Sequence, residues 1–269
     1  AGLIKEKIFE TIVAKETDKS AAILSKVMAK SDEATVASVI NNITEKNSNE
    51  DSKLSLKVMA DFSEKNPEKL ETLAQNNADQ IEKLTISAVE EAQSSQEDAD
   101  LIAKVVSAAS DELVNKVVQE VSKNSIDENQ ALSAKVLKSI VENNPDKVEI
   151  LSDKNKETMI NQTIESAKNQ AEGNSNDDID LTNTIAEIVT KSDSETASKV
   201  LERLDEVSSE TDSKLPLKVV SNLTKQENYE EKMEILEVTS PIIKENINKL
   251  VEDAVENANS EEDLKLVTD

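Results

Sequence analysis

Along 111–123, Leu113, Val114, Val117, Val118 and Val121 fall at i, i+1, i+4, i+5 and i+8, one apolar stripe of a 3.6-residue period. Ser110 stands ahead of Asp111 and Glu112, so a hydroxyl oxygen is placed to accept an orphan amide proton and two carboxylates meet the positive end of the helix dipole. Asn124-Ser125 ends the period. Leu101, Ile102, Val105 and Val106 keep the same spacing, and Leu215, Val219, Val220 and Leu223 follow a close variant. Valine favours strands, but a strand needs alternation, and these valines do not alternate. Similar stripes predict helices near 20–30, 33–46, 52–65, 68–75 and 78–93. Pro67 and Pro145 fit the first turn of a new helix, where no amide donor is lost.

The stripes recur in step. Leu24-Ser25-Lys26-Val27-Met28 returns as Ile102-Ala103-Lys104-Val105-Val106 and as Ile185-Ala186-Glu187-Ile188-Val189. Leu56-Lys57-Val58-Met59 returns as Ala134-Lys135-Val136-Leu137 and Leu217-Lys218-Val219-Val220. The distance from Leu24 to Ile102 equals that from Leu56 to Ala134, and the distance from Ile102 to Ile185 equals that from Ala134 to Leu217. Asn66-Pro67 and Thr85-Ile86 return as Asn144-Pro145 and Thr163-Ile164 at the first of these two offsets. Shared offsets among independent markers are the signature of a repeat array. The chain therefore divides into the end of one unit (1–20), three units of roughly 80 residues (21–98, 99–178 and 179–263) and the start of another (264–269). The expected fold is all-α, an α-solenoid of stacked helical hairpins. In architecture it resembles the HEAT-like α-solenoids, without the Trp, Gly and Tyr pattern of tetratricopeptide repeats or the Thr-Pro-Leu-His of ankyrin. An opening at Ala1-Gly2-Leu3 and an end inside the pattern fit a segment of a longer array.

Composition sharpens this reading. Two glycines and four prolines among 269 residues are too few for the turns of a sheet protein. Phe9, Phe62 and Tyr229 are the only aromatics, so the expected core is made of thin aliphatic layers between helices. A net charge of −25 argues against nucleic acid and anionic lipid as partners. No apolar run reaches the ~20 residues of a membrane span. Cysteine and histidine are absent, which removes thiolate metal sites, disulfides and the usual catalytic bases. Cysteine avoidance tilts localisation toward export or the cell surface, with the cytoplasm as the alternative.

Candidate chemistry is sparse. No Gly-rich phosphate loop or HExxH pattern occurs, and with 56 acidic residues a pair such as Glu90-Glu91 or Glu261-Glu262 reads as a solvated helix face. The acidic loops 47–51, 94–98 and 174–180 precede expected helices and read as caps. Asn174, Asn176, Asp178 and Asp180 do have the alternate spacing of calcium ligands, but Ile179 and Ile185 stand where the glycine and closing glutamate of an EF-hand belong. No cofactor or metal is expected. The sequons at Asn42, Asn161 and Asn222 fall inside expected helices. Ile4, Ile8, Ile12 and Val13 form an apolar stripe suited to self-association. The expected function is non-enzymatic: a structural or scaffolding rod within a surface, filament or sheath protein, whose protein partner is another copy of itself. The alternative is a binding module that holds a protein partner on a concave face.

Overall fold

The computed structural model describes residues 12, 17–46, 53–76, 78–93, 95–125, 131–173, 180–210, 214–227, 229–230, 234, 241–256, 258 and 260. Fourteen α-helices carry nearly all regular structure among them, and no strand occurs among the described residues. They are α1 (Thr17–Lys30), α2 (Glu33–Lys46), α3 (Leu54–Lys65), α4 (Pro67–Asn76), α5 (Ala78–Glu90), α6 (Gln96–Ala108), α7 (Asp111–Asn124), α8 (Leu132–Asn143), α9 (Asp146–Glu149), α10 (Asp153–Ala171), α11 (Leu181–Lys191), α12 (Ser194–Glu210), α13 (Leu215–Leu223) and α14 (Pro241–Glu256). The five helices expected in 20–93 are all present, with ends shifted by a few residues.

Short polar side chains start these helices. Asp32 Oδ1 accepts from the Thr35 amide at 2.8 Å, Ser95 Oγ from Asp98 at 3.1 Å, and Ser110 Oγ from Leu113 at 3.4 Å. Ser152 caps α10 through the Asn155 amide, and Asp193 takes both the amide and the hydroxyl of Thr196. Each satisfies a donor that the helix itself leaves over. Pro67 occupies the first residue of α4. Pro145 departs from expectation: it stands at the N-cap of α9, outside the first turn, and α9 has four residues where α4 has ten.

α2, α7 and α12 begin at Glu33, Asp111 and Ser194, and α3, α8 and α13 at Leu54, Leu132 and Leu215; both series keep the two offsets found in the sequence. The chain forms two compact units, Ala1–Asn124 and Ser125–Asp269. In the first, α3 packs against both α1 and α6, and α5 against both α2 and α7, which gives two rows joined where α3 meets α5. In the second, α11 packs against both α8 and α13, and α12 against both α10 and α14. Here the rows are joined where α8 meets α10 and α13 meets α14.

A helix with a neighbour on several sides must be apolar or small on several faces. Accordingly α3 buries Leu54, Ser55, Leu56, Val58, Met59, Ala60, Phe62 and Ser63, and α8 buries Leu132 to Leu137, Ser139, Ile140 and Val141. Serine and alanine allow close helix approach, while each buried Leu, Val or Ile contributes about 1.5–3 kcal/mol as an upper figure. The valine stripe of α7 is wholly buried, and of the α6 stripe only Leu101 remains half-exposed. Phe62, fully buried, is the one large aromatic side chain within these aliphatic layers among the described residues.

Candidate functional site

Lysines bridge neighbouring helices within each row. In the first unit Lys57 Nζ on α3 reaches Asp18 on α1 at 2.6 Å and Glu97 on α6 at 3.8 Å, Lys104 reaches Glu64 at 3.0 Å, and Lys116 reaches Glu82 at 2.6 Å. In the second unit Lys138 reaches Glu187 at 3.4 Å, Lys191 reaches Glu142 at 3.5 Å and Lys249 reaches Asp205 at 3.5 Å. The Asp18 hydrogen bond, reinforced by nearby acidic charge, raises the Lys57 pKa above its ordinary value. Most of these pairs face solvent, so each contributes only about 0–1 kcal/mol. Each pair joins two helices that pack against each other.

One joint differs. At the start of α3, Lys53 Nζ meets Asp98 Oδ1 at 2.8 Å and Oδ2 at 2.7 Å; Asp98 is 0 % exposed and Lys53 retains only 19 % side-chain exposure. The Gln93 amide donates to Asp98 Oδ2 at 2.8 Å. A buried carboxylate whose two oxygens both meet one ammonium, with an amide donor beside it, is the arrangement that offsets desolvation. Beside it lies Glu91, just beyond the last residue of α5. Burial pushes its carboxyl up to about 7, against the pull of the Ser55 hydroxyl and the Leu56 and Ser55 amides and with added repulsion from Glu90. Reading Glu90-Glu91 as a solvated face is thus half wrong: Glu90 is exposed, but both carboxyl oxygens of Glu91 are closed off from solvent. Ser95 caps α6 as the reading of 94–98 expected, but residues 96–98 are already the first turn of that helix and Asp98 is buried in it.

Of the calcium-spaced residues, Asn174, Asn176 and Asp178 lie outside the described residues. Asp180 caps α11: its Oδ1 accepts from the Thr182 amide (3.0 Å), the Thr182 hydroxyl (2.6 Å) and the Asn183 amide (3.1 Å). Burial pushes the Asp180 carboxyl up, but the Thr182 hydroxyl, the Asn183 and Thr182 amides and the Asn222 side chain outweigh it and hold the group below its ordinary value. Among the described residues no three carboxylates converge as metal ligands. Ile4, Ile8 and Val13 of the apolar stripe also lie outside the described residues, as does the 47–51 loop. Ile12 is helical and half-buried, and its carbonyl accepts from the Ser20 hydroxyl at 2.6 Å. Asn42, Asn161 and Asn222 all lie inside helices. No helix among the described residues is long and apolar enough to cross a membrane.

The second unit carries an open groove between α10 and α12, about 310 Å³ in volume, lined by Asp153, Glu157, Asn161, Lys199, Glu202 and Arg203 among others. Its cations are engaged: Lys199 with Glu195 at 2.8 Å and Asp153 at 3.2 Å, Arg203 with Glu206 at 2.9 Å and Glu165 at 3.2 Å. Such a groove offers a mixed charged surface in which acidic residues outnumber basic ones.

No protein-family model matches this chain, and comparison with curated proteins and with solved structures yields no match.

Proposed function

We propose that the chain is a non-enzymatic structural or scaffolding segment: an acidic, HEAT-like α-solenoid whose three units are 21–98, 99–178 and 179–263, belonging to a longer surface, filament or sheath protein. The supporting observation is the recurrence, in each compact unit, of one neighbour scheme on helices whose starts keep the offsets of the sequence repeat. A helix pair with a single narrow stripe cannot bury its face alone, and stacking copies supplies the missing cover. The charge of −25 suits a spacer that stays soluble and keeps neighbouring rods apart. Assembly partners are further copies of the same chain, meeting through Ile4, Ile8, Ile12 and Val13.

Sedimentation velocity over a hundredfold concentration range tests this. The wild-type chain is expected to associate as concentration rises, and Ile8→Lys with Ile12→Lys to stay monomeric at unchanged helical content. Monomeric behaviour of both proteins throughout overturns the self-assembling reading. The α10–α12 groove favours one alternative, a module holding a basic protein segment. That reading gains support if the monomer binds lysine-rich peptides and Glu157→Lys abolishes the binding.

A further inference from the structure

Three features meet where α3 begins. Lys53 adopts the left-handed region at φ 47°, and no side chain caps the helix from that N-cap position. Asp98 holds both the Lys53 ammonium and the Gln93 amide. Glu91, two residues before Gln93, turns its carboxyl toward the Ser55 hydroxyl and the first-turn amides of Ser55 and Leu56. Both oxygens are shut off from water, and the three donors at the start of α3 offset that burial only in part.

We propose that Glu91 is a pH-sensitive latch: protonated, it closes the 91–93 turn over the start of α3, and ionised, it opens that turn and loosens the Lys53–Asp98 pair.

The physical reason is desolvation. A neutral carboxyl tolerates this burial, whereas a carboxylate whose desolvation is only partly offset by its donors draws water in. The Gln93 amide ties the same turn to Asp98, so hydration at Glu91 reaches the ion pair through that turn. Burial places the carboxyl near 7 in the folded chain, above its ordinary 4.5. The folded state therefore holds this proton more tightly than the unfolded chain does. Stabilisation from the neutral group is complete below about 4.5 and is lost as pH rises through about 7.

The other charges on the packed elements do not relieve Glu91. Glu90 adjoins it and opposes its ionisation. At the start of α3 the cations Lys53 and Lys57 are committed to Asp98, Asp18 and Glu97, and on α6 Lys104 is committed to Glu64. On α7, Lys123 is paired with Glu120 at 2.7 Å, and Asn124 donates to the Val89 and Ala92 carbonyls. On α4, Glu68 is exposed and Lys69 turns to the Ala29 and Ser31 carbonyls; on α2, Glu33 accepts from Asn76. The second unit supplies a built-in control. At the matching place of the next repeat, Asn169 replaces Glu91, and the Ser133 amide of α8 donates to Ser125 Oγ at 3.1 Å.

Hydrogen exchange of the full chain at pH 5.5 and 8, corrected for the intrinsic rate, tests the latch. Peptides covering 54–58 and 91–93 are expected to lose on the order of tenfold protection at pH 8. Peptides covering 132–136 should keep theirs, and Glu91→Gln should abolish the loss. Equal protection at both pH values in the wild type, or an undiminished loss in Glu91→Gln, overturns the proposal. If circular dichroism shows Glu91→Gln unfolded, the carboxyl carbon titration of Glu91 in the wild type decides. A midpoint near 7 supports the latch and one near 4.5 overturns it.

Discussion

Where α3 meets α6, the joint is closed by Lys53 and Asp98; where α8 meets α11, the same places in the repeat hold Ala131 and Leu181. Asp98 and Leu181 are both 0 % exposed, so at that place burial is equal and chemistry is opposite. The packing scheme therefore demands only that the place be filled and its polar atoms satisfied. An apolar pair meets that demand by contact. An ion pair meets it only while both partners and the Gln93 amide are present, which makes the first joint conditional and the second unconditional.

Exchanging the two solutions breaks the comparison most severely. Leu181→Asp places a carboxylate in the apolar joint, where the position of Lys53 is taken by Ala131. Denaturant unfolding is expected to show a loss of more than about 4 kcal/mol. Asp98→Asn leaves the Lys53 ammonium without its charge partner, and a loss of about 3 kcal/mol is expected. Lys53→Ala combined with Asp98→Leu copies the second joint into the first and should recover most of that loss. A double variant as unstable as Asp98→Asn would show that the two joints are not interchangeable.

Smaller effects sharpen the contrast. Asp180→Ala removes the cap of α11 and should cost about 1 kcal/mol. The Asp180 carboxyl is held below its ordinary 3.8, so its stabilisation is present above that value and lost as pH falls through the folded value. The variant should accordingly show a shallower acid limb in a pH–stability profile. Lys116→Ala removes only a half-exposed pair with Glu82 and should change stability by less than about 0.5 kcal/mol.

Much of the fold was legible before any coordinate. The stripe of α7, the caps at Ser110 and Ser95 and the offsets of Leu54, Leu132 and Leu215 are local or periodic, and sequence preserves both kinds of information. Asp98 and Glu91 were not legible, because an acidic residue in a helix's first turn or at its end looks the same whether water or another helix covers it. The repeat columns held the missing signal. Asp98 stands in column with Ser20 and Leu181, both buried, and an acid in such a column needs a partner. The short α9 escaped for a related reason: Pro145 repeats Pro67, but Ile150 and Leu151 end the helix early in a turn whose second residue, Leu151, is buried.

Small-angle scattering of the isolated chain bears most directly on the proposed array. Stacked helical hairpins predict a radius of gyration well above the roughly 18 Å of a globule of this length. A value of about 18 Å, with helical content intact, would contradict the solenoid.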